Sequence, residues 1–198
     1  MYVPAHFAAD DISELLARPQ AADLVTMTED GLVATFLPFL HDGGSLLGHV
    51  ARNNDHWSRP VIGEAMVIVH GPDAYVSPGF YPSKAEHGRV VPTWNYLTAH
   101  VYGELRIHDD VEWLDALVRR LTDLHEAAEP TPWSVDDAPP AFVAGQLRAI
   151  VGVELVISRI EAKLKMSQNR PAADVDGVVA GLEARGDHVA AAAVRAAN

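Results

Sequence analysis

The sequence has no cysteine, few basic residues and no long apolar run. Without cysteine, the chain can form no disulfide framework, no thiolate nucleophile and no cysteine-ligated zinc or iron–sulfur centre. No stretch approaches the roughly 18 apolar residues that a membrane-spanning helix needs, and residues 1–6 lack the basic start of a secretory signal. These absences predict a cytoplasmic protein that is stabilised by an ordinary packed core.

Negative charge dominates the 198-residue chain. The sequence holds 15 Lys and Arg against 27 Asp and Glu, which gives a formal net charge of −12 with its histidines neutral. Such a charge favours solubility and repels nucleic acid unless the few cations gather on one face. The length and the 48% content of hydrophobic residues predict one globular domain over residues 1–198.

Alternating apolar and polar residues predict antiparallel strands in the first half of the chain. The strands are expected at 24–28, 32–40, 45–51, 65–70, 74–77 and 93–108. Turns are expected at Gly31, at Gly43 and over 71–73, and Pro38 should restrict its strand to an edge or a bulge. The segment 78–92 is expected to be a long irregular loop, which is usually functional or in contact with a partner.

Helical patterns interrupt and follow these strands. Asp10 or Asp11 can cap a first helix that stops at Pro19, and Asp110 begins a clear amphipathic helix. The later elements are expected as a helix near 137–150, a strand over 152–165 and two short helices in a tail at about 171–198. Antiparallel strands with short turns, interrupted by helices, indicate an α+β protein built on a small β-barrel.

The common nucleotide-binding and hydrolase motifs are absent. The sequence has no Gly-x-Gly-x-x-Gly after a strand, no P-loop, no Gly-x-Ser-x-Gly and no His-Glu-x-x-His. Histidines are scattered through the predicted strand region, and no pair shows the helical spacing with a third carboxylate that a metal site would use. Ordinary polar positions explain these histidines better, so no metal is predicted.

Three polar segments lie beside predicted strand ends, and each has two interpretations. Arg52 ends a strand before a helical turn, which suits an anion, although on spacing alone a surface arginine beside a capped helix is the better explanation. Trp94 and Asn95 can flank a planar ligand, or pack in a core or an interface. The segment 163–170 is cationic and rich in amides, so it can hold a phosphate or simply end a solvated strand.

The same segments carry a family resemblance that runs in order along essentially the whole chain. The motifs are MYVPAHF at 1–7, LLGHVARN at 46–53, GPDAYVSP at 71–78, YPSK at 81–84, VVPTWNY at 90–96 and KMSQNRP at 165–171. Together they resemble the PaiB family, the FMN-binding negative transcriptional regulators, within the wider group of flavin-binding split barrels. The resemblance implies an antiparallel, Greek-key-like split β-barrel with peripheral helices. It also implies a homodimer that binds FMN noncovalently at the subunit interface.

The resemblance assigns a first set of FMN contacts to the early strands. His49, Arg52, Asn53 and Asn54 would meet the phosphate and the ribityl chain, with Arg52 as the main cation. Thr35, on the preceding strand, would lie near the flavin ring. No catalytic residue follows from the resemblance.

A second set of implied contacts lies later in the chain. Lys165, Ser167 and Gln168 would form a C-terminal contribution, which the partner subunit can supply. Trp94 and Asn95 are candidates for the ring or for the interface. FMN brings about two negative charges, so an acidic protein has to gather cations locally to hold it.

Three functions remain open at this point. The first is negative regulation of transcription, although no helix-turn-helix with a basic second helix is present, which disfavours direct DNA contact. The second is an FMN-dependent oxidoreductase of the pyridoxamine-phosphate-oxidase-like split-barrel group, acting on an unknown small molecule. The third is an interaction protein whose barrel has lost FMN, and haem or a deazaflavin could also replace FMN in this fold.

Overall fold

The structure is a computed structural model that describes residues 1–9, 11–17 and 20–198. The chain divides into two compact units. The first unit consists of Met1–Ile12, His70–Ala99 and Glu161–Asn198, and the second unit consists of Ser13–Val69 and His100–Ile160.

The described residues contain six strands, which form a closed barrel in the order β1-β2-β3-β6-β5-β4. Their bounds are β1 Gln20–Thr28, β2 Gly31–Asp42, β3 Ser45–Ala51, β4 Ala65–Val76, β5 Thr93–His108 and β6 Ile150–Lys165. β1 to β3 pair in sequence, and β4 returns to lie antiparallel to β1. The neighbouring order 4-1-2-3 is that of a Greek key. The predicted antiparallel, Greek-key-like barrel is therefore confirmed.

Helices lie between and after the strands. Their bounds are α1 Ser13–Ala17, α2 Ser83–His87, α3 Val111–Glu126, α4 Pro140–Arg148, α5 Ala172–Ala184 and α6 His188–Ala196. The carboxylate of Asp110 caps α3 by accepting the backbone N–H of Trp113 at 2.7 Å, as the sequence predicts. The predicted cap at Asp10 and stop at Pro19 lie outside the described residues. Within the described ranges, no helix is long and apolar enough to cross a membrane.

The β1–β2 hairpin separates its residues cleanly between two faces. The two strands pair from Gln20↔Phe39 to Thr28↔Gly31, and Gly31 makes the turn with a φ of 108° that favours glycine. Because side chains alternate along a strand, Thr26 and Thr35 share the inner face of the hairpin. Leu32 and Phe36 on the opposite face are exposed.

Two strand predictions need correction. The predicted strands 65–70 and 74–77 are one continuous strand, β4, and the chain does not make the predicted turn at Gly71. A Cβ on Gly71 would lie 2.9 Å from the side chain of Leu97, so this glycine permits a close approach instead. β2 pairs on both sides and is not an edge strand, but its pairing with β3 ends at Phe39, directly after Pro38. The proline therefore lies beyond the β3 ladder and costs it no hydrogen bond.

The first unit has its own core around the two last helices. Val178, Leu182, Ala191 and Val194 pack there with Met166 at the end of β6. α5 also lies very close to the segment before α2. A Cβ on Gly177 would lie 2.1 Å from the carbonyl oxygen of Phe80, and one on Gly181 would lie 2.3 Å from its ring. Both glycines therefore leave room for Phe80.

Candidate functional site

A buried polar chain in the second unit joins two strands of the barrel to the segment after β3. The imidazole of His56 lies between two threonines, with Thr26 Oγ1 2.8 Å from Nε2 and Thr35 Oγ1 2.8 Å from Nδ1. The amide Nδ2 of Asn54 donates to Thr35 Oγ1 at 3.1 Å, and Asn54 Oδ1 accepts the backbone N–H of His56 at 3.1 Å. The structure thus brings together the predicted contacts Thr35 and Asn54, and it adds His56.

His56 is held in the neutral state by its surroundings. The side chain is almost completely buried, at 2% exposure. Burial lowers the pKa of His56 from its ordinary value of 6.5, and the nearby guanidinium of Arg59 lowers it further against a smaller opposing effect of Asp55. A neutral imidazole has one donating and one accepting nitrogen, so the two threonines cannot play the same role toward it.

His49 carries an unsatisfied ring nitrogen. It lies on β3, where its Nδ1 is buried and has no hydrogen-bond partner among the described residues. Burial lowers the pKa of His49 below its ordinary value, which favours the neutral ring. A buried polar atom without a partner is costly, and a bound molecule that reached Nδ1 would remove this cost. Asn53, the neighbouring predicted contact, is exposed.

Arg52 is held by the protein itself. Its Nε donates to the carbonyl of Arg148 at 2.7 Å, and Nη2 donates to the carbonyl of Ile150 at 3.1 Å. Both terminal nitrogens bind the carboxylate of Asp109 in a bidentate pair. This pair lowers the pKa of Asp109 and raises that of Arg52. The guanidinium therefore holds the segment after β3 against the start of β6. A phosphate would have to compete with Asp109 for this guanidinium.

Lys165 is the centre of a different cationic site, in the first unit. Its ammonium donates to Thr93 Oγ1 and, at 2.6 Å, to the carbonyl of Trp94, which leaves one N–H without an acceptor among the described residues. Burial lowers the pKa of Lys165, and the positive charges of Lys163 and Arg170 lower it further. In the described part of the chain, none of these three cations forms an ion pair with a carboxylate. We call Lys163, Lys165 and Arg170 the cation cluster.

The turn after β6 is fixed by side-chain amides. Ser167 has a φ of 70°, the positive value that side chains rarely adopt, and its hydroxyl accepts Asn95 Nδ2 at 2.9 Å. Gln168 folds back on the same turn, where it accepts the N–H of Met166 at 2.7 Å and donates to the carbonyl of Leu164 at 2.7 Å. The predicted contacts Asn95, Ser167 and Gln168 therefore come together, and these atoms hold the turn that follows Lys165.

Trp94 and Asn95 point to opposite faces of β5. Asn95 is buried, whereas Trp94 is half exposed and donates its indole N–H to Asp73 at 3.0 Å. The ring of Tyr75 lies 6.1 Å from the indole ring. An anchored, exposed aromatic pair of this kind can lie against a planar ligand or a partner. Of the two predicted residues, only Trp94 presents its side chain at the surface.

The barrel topology identifies the class of protein, and the sequence identifies its family. The flavocytochrome Anf3 of Azotobacter vinelandii shares the fold, with a TM-score of 0.63 at 15% identity over 83% of this chain and 72% of that one. The fold is thus that of the split β-barrels. Residues 1–159 match the model of the family described as "Putative FMN-binding domain", and this chain belongs to that family.

Two curated relatives extend the comparison. The protease synthase and sporulation protein PAI 2 of Bacillus subtilis is 29% identical over 191 residues, which cover 92% of this chain and 89% of that protein. An uncharacterized protein of Emericella nidulans is 35% identical over 167 residues, and the match covers 71% of this chain and 66% of its relative. The predicted membership of the PaiB-like, FMN-binding group is confirmed.

Two observations test whether the described residues fit FMN. The cation cluster lacks carboxylate partners in a protein of net charge −12, which suits a phosphate. In the second unit, the unpartnered Nδ1 of His49 suits a hydroxyl or ring group of a flavin. Among the described residues, no cluster of three or more His, Asp or Glu side chains is arranged to hold a metal ion. The donor set therefore fits FMN.

Three residues of these sites were not predicted from the sequence as FMN contacts. His56 appears in the sequence as one of several scattered histidines, and only the fold places it between Thr26 and Thr35. Asp109 lies 57 positions from Arg52, so no local pattern indicates their pairing. Arg170 belongs to the segment that the sequence marks as cationic, and its proximity to Lys165 could have been inferred from spacing alone.

Proposed function

We propose that the chain binds FMN through its phosphate at the cation cluster. The observation that carries this proposal is the half-buried ammonium of Lys165, which has one free N–H and two cationic neighbours and no carboxylate among the described residues. Repulsion among three cations is relieved when a dianion binds between them. A charge-assisted hydrogen bond to phosphate is about twice as strong as a neutral one.

In the second unit, Thr35, His49 and Asn54 form the polar set that supports a role in holding FMN. Together they offer a hydroxyl, an unpartnered ring nitrogen and an amide, which suit the uncharged parts of a flavin. We assign Arg52 to the same site as a cation that Asp109 holds in place. Trp94 is proposed as the aromatic residue that meets the ring or the interface. When bound, FMN supplies the redox chemistry, and these residues orient it.

The experiment that tests FMN binding compares two ligands that differ only in the phosphate. We expect purified protein to retain the visible absorption of flavin after desalting, and to bind FMN much more tightly than riboflavin in a calorimetric titration. Equal affinity for FMN and riboflavin would contradict a phosphate site. Protein that takes up neither ligand would overturn the proposal, and titration with haem and a deazaflavin would then identify the alternative cofactor.

The proposed assembly is a homodimer with FMN at the subunit interface. The outer face of the β1–β2 hairpin supports the dimer, although not the position of FMN, because Thr35 lies on the inner face of the same hairpin. Leu32 is 70% exposed, Phe36 is 67% exposed and Met27 is 42% exposed. The strand register places Met27 opposite Leu32 and Val25 opposite Ala34, so these apolar side chains are contiguous. A contiguous apolar face on a protein of high net charge suits a second copy of the same chain, which contributes an identical face.

Sedimentation equilibrium tests this assembly. Phe36→Glu should convert a dimer into a monomer, because it buries a charge in an apolar interface. Val189→Glu is the matched control, since Val189 is similarly exposed, at 71% against 67% for Phe36, but lies on α6. A monomeric wild-type protein, or a dimer that survives Phe36→Glu, would exclude the hairpin face as the interface.

The wider role that we propose is that of a flavin-dependent protein whose effect on transcription is indirect. The densest basic pair in the sequence is neutralised, because Arg119 binds Asp115 and Asp136 while Arg120 binds Asp42. A DNA-binding face needs cations that are free to meet phosphates, and the unpaired cations of the cation cluster are here assigned to FMN. This observation favours the second candidate, an FMN-dependent oxidoreductase, over a repressor that contacts DNA directly.

Two assays separate these roles. A gel shift on promoter DNA at low salt, with FMN present, should show no complex, and a salt-sensitive specific complex would support direct repression. Reduction of the bound flavin by a nicotinamide or another donor, followed by its reoxidation by a small molecule, would support the oxidoreductase. A bound flavin that no donor reduces would argue against it.

A further inference from the structure

The polar chain Thr26–His56–Thr35–Asn54 fixes the direction of each of its hydrogen bonds. The direction is set first at Asn54, whose Oδ1 lies 3.1 Å from the backbone N–H of His56. A backbone N–H can only donate, so the atom facing it is the amide oxygen, and the amide Nδ2 therefore faces Thr35. Thr35 Oγ1 accepts this bond.

The direction is set a second time at Thr26. Its side chain is buried at 1% exposure, and within the described residues its hydroxyl meets only Nε2 of His56. If Nε2 carried the proton, the hydroxyl hydrogen of Thr26 would have no acceptor in a buried site, which is costly. Thr26 therefore donates to Nε2, and the proton of the neutral imidazole is on Nδ1.

These two directions determine which hydrogen bonds the hydroxyl of Thr35 can still make. A hydroxyl has two acceptor positions and one donor, and here both acceptor positions are used, by Asn54 Nδ2 and by the Nδ1–H of His56. Thr35 is only partly buried, and among the described residues its own O–H has no acceptor. We infer that His56 is a positioning residue that makes Thr35 a hydrogen-bond donor toward the bound cofactor.

This inference rests on the proposed FMN site and states what Thr35 recognises there. A hydroxyl limited to donation takes an acceptor, and FMN offers acceptors in the carbonyls and imine nitrogens of the ring, in the ribityl hydroxyls and in the phosphate. A ring N–H of the ligand is excluded as the partner of Thr35, because no lone pair of the hydroxyl is left for it. Thr35 therefore recognises a hydrogen-bond acceptor of the ligand and not a donor.

The tautomer of His56 can be measured without any variant. Nitrogen-15 NMR of histidine-labelled protein at neutral pH should show His56 with a protonated Nδ1 and an unprotonated Nε2. His56→Asn supplies the assignment by removing one signal. A protonated Nε2 would overturn the inference, whether or not the protein binds FMN. The result thus stands apart from the test of FMN binding.

Two replacements of His56 that are similar in size test whether its Nδ1–H affects the affinity for FMN. His56→Asn keeps an amide near the position of Nδ1, whereas His56→Gln keeps one near Nε2 and loses the donor to Thr35. We expect FMN affinity to fall by about three- to tenfold in His56→Gln, the usual effect of one neutral hydrogen bond, and to stay near the wild-type value in His56→Asn. Equal affinities of the Gln variant and the wild type would overturn the inference.

Thr35→Val distinguishes an acceptor in the phosphate from one in the rest of the flavin. The variant should lose the same factor of affinity for riboflavin as for FMN if Thr35 donates to the ring or the ribityl chain, and it should lose affinity for FMN alone if Thr35 donates to the phosphate. Unchanged affinity for both ligands in Thr35→Val would overturn the inference. A wild-type protein that binds neither ligand would instead overturn the proposed function, and the NMR result would still stand.

Discussion

Asn95 and Ser167 hold each other in a buried hydrogen bond, with the amide Nδ2 of Asn95 2.9 Å from the hydroxyl of Ser167. Asn95 is the third residue of β5, and Ser167 is the second residue after β6. The bond keeps Ser167 in its positive-φ conformation, and this turn directly follows Lys165. The geometry of the cation cluster therefore depends on a contact between two uncharged residues.

Ser167 should respond differently to replacement by alanine and by glycine. Ser167→Ala leaves the buried amide of Asn95 without its acceptor, which should destabilise the fold by about 1–3 kcal/mol. Ser167→Gly loses the same bond but relieves the positive φ, so it should be more stable than the alanine variant by about 1 kcal/mol. Urea unfolding measures both, and equal stabilities would mean that the conformation of Ser167 is unstrained.

Lys165 should contribute most of the phosphate recognition. Lys165→Met removes the free N–H of the cluster and should weaken FMN binding by about 1.5–3 kcal/mol, the size of a hydrogen bond to a charged group. Riboflavin affinity should not change. Lys84→Met is the control for net charge, because Lys84 is exposed on α2. If both variants lose FMN affinity equally, the effect is one of overall charge and not of a site.

Arg52 and Asp109 form a pair whose two variants separate a structural role from a ligand role. If Arg52 also meets the phosphate, Arg52→Ala should weaken FMN binding about tenfold or more, while Asp109→Asn should strengthen it by releasing the guanidinium. If Arg52 only holds the segment after β3 against the start of β6, both variants should lower the melting temperature and leave FMN affinity unchanged. Titration calorimetry and thermal melts of the two proteins decide between these results.

Mild acid should destabilise the fold through its buried histidines. Burial lowers the pKa of His56, and likewise that of His49, below the ordinary value of 6.5, so the unfolded chain binds more protons in this range. The stability that the neutral rings provide is fully present above about pH 6.5, and it is lost as the pH falls from there through the lowered values. Paired carboxylates such as Asp109, whose pKa is lowered, titrate only at still lower pH. Urea unfolding between about pH 5 and 8 should show this loss, and His56→Asn should reduce it.

Much of the fold follows from local sequence patterns. The bounds of β3 and β5 agree with the predicted strands, because alternation and flanking turn residues define them. Asp110 marks the start of α3 for an equally local reason, since its side chain caps the nearby backbone. Signals of this kind act over a few residues and can therefore be read from sequence.

The errors arise where a distant contact decides the structure. Gly71 and Pro72 have the composition of a turn, yet β4 passes through them because Leu97 packs closely against Gly71. Similarly, sequence can mark Arg52 as a cation beside a strand end, but only the folded chain brings Asp109 to it. Nothing local distinguishes a free arginine from a paired one.

The contact between Phe80 and α5 has a consequence for efforts to make this protein more heat-resistant. Replacing helical glycine with alanine usually stabilises a helix by about 1 kcal/mol, and automated design favours such exchanges. Alanine at Gly177 or Gly181 should instead destabilise the protein, because Phe80 occupies the space that the methyl group would need. Gly145 on α4 has open space around it and accepts the change. The same substitution therefore has opposite outcomes on two helices of one chain.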